Sequence, residues 1–426
     1  MFNRLARTLM ATAVIAFATG ACAVAQEAPS VAAVSKTYAD IAEAGYSDSL
    51  TGAKALKVAV DALIAKPSED TLKAARAAWI TARKSYAQTE AFRFGNKIVD
   101  DWEPRVNAWP LDEGLIDYVS QEYADQGLPN DFYLANVIAN PKIKIGGEEI
   151  DASVISKELL SDKLQEAGGV ESNVATGYHA IEFLLWGQDL NGNEAGAGNR
   201  PATDYDTANC SNGNCDRRAQ YLSVVTDLLI DDLTWMVGQW GENGDARKTV
   251  MFDSGNVGLS AIFRGLGSLS YGELAGERMK LGLLIHDPEE EQDCFSDNTH
   301  NAHYNNALGI RNIYLGSYQR PDGTIVSGPS ASDLVRAKSA EADDATRAAL
   351  DTTMERMQAI VDRAEGGEAY DQMIGEGNAE GNELVEKAIQ ALIAQAKALE
   401  RDVGVLQLKA IQFEGSESLD NPGGVR

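Results

Sequence analysis

His179 and Glu182 are the two readily ionised side chains in the stretch Gly177-Tyr178-His179-Ala180-Ile181-Glu182-Phe183-Leu184-Leu185-Trp186-Gly187. Three residues apart on a helix, they project from the same face. Burying an imidazole and a carboxylate among apolar neighbours is costly unless they meet a metal, a counter-ion or a substrate. A neutral imidazole and a carboxylate one turn apart can share an ion, as Glu-x-x-His pairs do in di-iron bundles. The ion expected is divalent or ferric, and iron accepts such mixed nitrogen and oxygen ligands. Two ligands do not make a site. Glu90 and Glu113, with Asp112 in reserve, are the candidates to complete it from facing elements. The structural alternative is a histidine satisfied within the core.

Hydrolysis asks for more. A zinc peptidase generally uses three protein ligands, an open position for water and a nearby base. The H-E-x-x-H pattern that supplies two ligands and the base from one helix does not occur in this sequence. Glu182 cannot readily act as both ligand and base. Gly267-Ser268-Leu269-Ser270-Tyr271 lacks the G-x-S-x-G frame of a nucleophilic serine, and its glycine suits close helix packing instead.

Two further segments are rich in groups able to bind. Pro288 to His300 (PEEEQDCFSDNTH) offers many oxygen ligands, and Asp297, His300 and His303 could hold a metal or a polar ligand. The same residues could instead open a helix capped by Ser296 or Asp297. The Glu289–Glu291 run reads as a solvated face, and His286, after a helix C-terminus, as a capping residue. The other segment spans Thr89–Gly95, Asp100–Arg105 and Asn107–Gly114, mixing Trp, Arg and acid in the manner of binding loops. Arg93 and Asp112 are its ligand candidates, with internal salt bridging the competing role for Arg93 and Arg105; Trp102 and Trp109 read as packing residues.

The elements that must position these groups are helical. Apolar residues recur at helical spacing in Lys54–Ala65, Thr71–Phe94, Glu171–Trp186, Arg217–Trp240, Leu259–Leu284, Thr346–Ala364 and Glu383–Leu406. Ile143–Ile150 permits one small hairpin. An all-α, bundle-type architecture is expected. The length suggests two domains: an N-terminal bundle over 26–188, a Gly- and Asn-rich linker over 189–214, a C-terminal bundle over 215–415 and a flexible tail over 416–426. A helix followed by a longer Ala-rich helix occurs in both halves, which suggests an ancient duplication of a helical bundle.

Residues 1–25 read as a secretory signal: Arg4 and Arg7 precede the apolar run Leu9–Ala18, and Ala23-Val24-Ala25 fits the cleavage pattern. Lipidation of Cys22 is the alternative. Removing the signal takes the formal charge from −27 to −29, because its two arginines are its only charges. So acidic a chain argues against nucleic acid and anionic lipid as partners. In an exported chain Cys210 and Cys215 are expected to pair as a disulfide, leaving Cys294 buried and unpaired.

Gly177-Tyr178-His179-Ala180-Ile181-Glu182 resembles the G-x-H-x-x-E motif of the imelysin-like family. Phe92-Arg93-Phe94-Gly95, Asn107–Gly114 and Phe295–His300 are similar to the branch called iron-regulated protein A. The resemblance runs from about Tyr38 to Leu406. Gln292 departs from it, standing where many relatives are expected to carry a histidine. The resemblance implies two helical bundles facing each other across a cleft, in a periplasmic or outer-membrane-associated protein tied to iron limitation. It also implies a metal ion, with iron favoured over zinc, or an iron-containing ligand such as haem or a chelate, and an outer-membrane or uptake partner. The family's label adds the rival reading of a metallopeptidase.

Overall fold

The computed structural model describes residues 28–145, 148–251, 256–409 and 411–425; the expected signal over 1–25, with Cys22, lies outside them. The fold is all-α. Its principal helices are α1 (Val31–Ala65), α2 (Glu69–Ala87), α3 (Gly177–Trp186), α4 (Cys215–Trp240), α5 (Val257–Ser268), α6 (Thr299–Leu315), α7 (Ala340–Glu365) and α8 (Ala379–Val405). The regular strands among the described residues form two antiparallel hairpins, β1 (Lys142–Ile145) with β2 (Glu148–Asp151) and β3 (Ser317–Gln319) with β4 (Ile325–Ser327). The second hairpin was not expected, because three-residue strands are too short to display alternation.

Caps set the helix ends. Ser30 accepts the Ala33 N–H at the start of α1, and Ser68 and Thr71 cap each other's backbone at the start of α2. The helix expected over Thr71–Phe94 stops at Ala87, where the Thr89 hydroxyl donates to the Tyr86 carbonyl and diverts the chain into a short turn over Glu90–Phe92. The expected Leu259–Leu284 helix is α5 continued by π-type turns over Leu269–Lys280 and a last turn over Leu281–Ile285. Gly267 serves packing: a Cβ there would lie 2.3 Å from the Phe413 ring.

Helix α1 packs along α2 and α4, and α3 lies against both α2 and α4. In the second half α7 pairs with α8, the π-type segment lies on α8, and α6 lies on α7. α6 also packs on α2, and α5 on α1, so the buried apolar core is one contiguous cluster. Cys210 forms a disulfide with Cys215, the first residue of α4, and Cys294 is free and buried. No helix among the described residues is long and apolar enough to cross a membrane.

Candidate metal centre

Helix α3 is buried along all of its ten residues, as a helix apolar on every side must be. Its start lies later than the periodicity from Glu171 suggested. Thr176 donates its hydroxyl to the Arg105 carbonyl, and Gly177 turns the chain with φ +82°. Only glycine fits there: a Cβ would sit 2.5 Å from the Val106 backbone. The Trp79 indole then donates to the Tyr178 carbonyl at 2.9 Å, fastening α2 to α3. His179 and Glu182 are thereby fixed against α2 on one side and the loop before α6 on the other.

The two side chains meet each other. His179 Nδ1 lies 2.9 Å from Glu182 Oε2, and both side chains are fully buried. An Arg83 N–H faces His179 Nε2 at 3.3 Å. A guanidinium can only donate, so Nε2 accepts and Nδ1 carries the proton that it gives to Glu182. The other Glu182 oxygen accepts the Ser296 hydroxyl at 2.6 Å and the Ser296 N–H at 3.1 Å. Arg83 also donates to Asp293 Oδ1 at 3.2 Å and to Asn107 Oδ1 at 2.5 Å. His179, Glu182 and Asp293 each bring one ligand-type atom within 4.8 Å of the other two.

Burial sets the charges. It holds His179 neutral, well below the ordinary histidine range, with positive Arg83 and Arg278 adding to the effect. Glu182 is pushed well above the carboxylate range by burial and by Asp293, against which Ser296 and Arg83 pull. For Arg83, desolvation works against the charge, but Asp293 and Glu90 outweigh it and raise the group further. The centre is therefore a set of nitrogen and oxygen donors arranged around one buried positive charge.

Glu90 and Glu113, expected to complete the set, do not join it. Glu90 is neutralised by Arg278 at 2.7 Å and reaches the centre only through Asn107, which donates to it at 3.2 Å. Glu113 lies in a separate cavity of about 190 Å³ with Trp109, Tyr123, Cys294 and Phe295, where burial raises it to about 7. Asp112 accepts the Ser172 hydroxyl at 2.8 Å, and Arg93 pairs with Asp100 at 3.1 Å. Arg105 pairs with Asp232 at 2.9 Å, and His286 Nδ1 meets the Ile374 carbonyl at 2.6 Å. Gln292 is buried and accepts from Arg278 at 3.2 Å.

The segment before α6 departs from expectation in two ways. Neither Ser296 nor Asp297 caps α6, whose N-cap is Asn298 with no side-chain bond; Ser296 is spent on Glu182 instead. Glu291 is buried, not part of a solvated face. Asp297, His300 and His303 lie outside the His179 group, and Asp297 belongs to a second group with Glu291 and Asp371.

Asp293, Ser296 and Arg83 were missed as site residues. Arg83 left a trace: it lies four residues after Trp79 and three before Tyr86, on the apolar stripe of α2 where a charge needs explaining. Asp293 and Ser296 lie in the oxygen-rich Pro288–His300 segment, but nothing in it linked those two to His179.

Comparison with known proteins adds three findings. A family model described as imelysin (Peptidase_M75) matches residues 42–399. The iron-regulated protein A of Synechococcus elongatus is 25% identical over 289 residues, covering 65% of this chain and 62% of that protein's length. The chain thus spans less than two thirds of this relative. A crystal structure provisionally described as an iron-regulated protein A precursor, from Parabacteroides distasonis, superposes with a TM-score of 0.62 at 20% identity, over 89% of this chain and 95% of that one. At that identity the likeness bears on the fold alone.

Proposed function

The chain belongs to the imelysin family, and from that premise we propose that it is an exported metal-binding protein of iron acquisition or handling, with His179, Glu182 and Asp293 as its ligands. One observation carries the reading: three buried side chains of ligand type converge within 4.8 Å around a positive charge. The residues fit a cation. Neutral His179 has a lone pair at Nε2, Asp293 presents an oxygen beside it, and Glu182 would exchange its bond with the His179 ring for one to the metal. Arg83 is the internal cation of this arrangement, and it must release Nε2 and Asp293 before a metal can take them.

The mixed nitrogen and oxygen set suits iron, and the name of the Synechococcus relative makes iron the first metal to test. The signal-like sequence over 1–25 supports a periplasmic or outer-membrane-associated location. A metallopeptidase reading gains nothing beyond the family label. Burial leaves the His179–Glu182 pair no face open to a peptide.

The test is a titration of chelator-stripped protein with Fe2+ under anaerobic conditions and, separately, with Zn2+. One equivalent of iron should bind, and His179→Ala should weaken it at least tenfold, the range typical of losing a ligand or its support. Unchanged stoichiometry and affinity in His179→Ala would end the proposal.

A further inference from the structure

A second carboxylate group, sharing no ligand with the first, lies where the loop before α6 meets the short helix Tyr370–Ile374 between α7 and α8. Glu291, Asp297 and Asp371 each bring an oxygen within 4.8 Å of the other two. Glu291 and Asp371 are each 1% exposed.

Elsewhere this protein answers buried carboxylates with guanidinium groups. Asp117 meets Arg200 and Arg218, Asp343 meets Arg336 and Arg347, and Glu90 meets Arg278. Here, among the described residues, none of the three pairs with a lysine or arginine. Glu291 Oε2, Asp297 Oδ1 and both carboxylate oxygens of Asp371 have no hydrogen-bond partner in the protein. The Tyr370 hydroxyl and both ring nitrogens of His303, which stacks edge-on against Tyr370 at 4.9 Å, are likewise unpartnered and buried. Buried acceptors without donors are rare and call for an explanation.

Protonation could reduce the charge but would leave most of these oxygens unanswered. A cation held by one oxygen from each residue would answer all three carboxylates at once. An all-oxygen, carboxylate-rich set selects hard metals, whereas the histidine-containing set at His179 selects borderline ones.

We infer that Glu291, Asp297 and Asp371 form a second cation site, for a hard, oxygen-preferring di- or trivalent metal, independent of the His179 centre. Its effect on the fold is a clamp. The ion would tie the loop carrying Asp293 and Ser296 to the Tyr370–Ile374 helix.

Terbium(III), a hard trivalent cation whose emission nearby tyrosines sensitise, is the probe, and Tyr370 stands next to Asp371. Chelator-stripped full-length protein should give one saturable equivalent of sensitised emission, displaced by Ca2+ or Mn2+. Asp371→Asn should weaken that component at least tenfold, whereas His179→Ala should leave it unchanged. The chelated Asp371→Asn protein should melt no lower than the chelated wild type, since the change relieves like-charge repulsion; this separates lost binding from lost folding. Emission that never saturates, or that Asp371→Asn leaves intact, overturns the site, as does its loss in a His179→Ala protein that is still folded.

Discussion

Arg83 is the residue on which the candidate centre turns. Among the described residues it contributes the only full positive charge in direct contact with His179 and Asp293, and it is itself held by Asn107. That contact determines the histidine tautomer, since a group that only donates leaves Nε2 as acceptor. The His–Glu pair was legible in the sequence because both members share one helical turn. Asp293 and Ser296 were not, because no local periodicity links residues 114 positions apart, the separation between Glu182 and Ser296. Glu113 makes the complementary point: its residue type suited a ligand, but the fold sets it in a different cavity, lined also by Tyr123 and Glu289. Burial raises it to about 7, so between the ordinary carboxylate range and pH 7 the folded protein keeps a proton that the unfolded chain has lost. Stability must then fall as pH rises through that window and level off above it. The full shift is worth up to about 3 kcal/mol. Urea unfolding at pH 5 and pH 8 should therefore differ less in Glu113→Gln than in wild type, by an amount up to that size. An identical pH dependence in the two proteins would assign the titration to another group.

At the scale of elements, most helices could be read from apolar spacing, and the discrepancies have local causes. Hydroxyl-to-carbonyl bonds end helices earlier than periodicity suggests, as Thr89 does after α2. Helix α3 begins late because Thr176 and Gly177 fasten its first turn to the Arg105–Val106 backbone. That fastening sets the height at which His179 meets Arg83. Gly177→Ala would put a Cβ 2.5 Å from backbone atoms at a φ of +82° that side chains rarely adopt. Backbone strain and a clash that only backbone movement relieves place it among the severe substitutions, at about 3 kcal/mol or more. The denaturation midpoint should drop accordingly, and whatever protein remains folded should bind iron more weakly, because α3 has to shift. A variant with wild-type stability would mean that the α3 start is not held as described.

At the scale of the whole molecule, the spread of motifs from Phe92 to His300 carried the family resemblance. What no sequence pattern could convey is that the centre belongs to the fold as a unit. Its parts come from α2, α3 and the loop before α6, segments separated by long stretches of chain and brought together because α6 packs on α2. An ion held by His179, Glu182 and Asp293 has no comparable set of ligands in the unfolded chain, so its binding energy must appear as folding energy. With free metal a hundredfold above its Kd, the folded state gains about 2.7 kcal/mol. Thermal or urea unfolding followed with iron and then with excess chelator should register that increment in wild type. His179→Ala should lose it while retaining any increment from Ca2+ or Mn2+ at Glu291, Asp297 and Asp371. If iron stabilises wild type and His179→Ala equally, the ion binds somewhere other than α3, and the buried network around Arg83 is purely architectural.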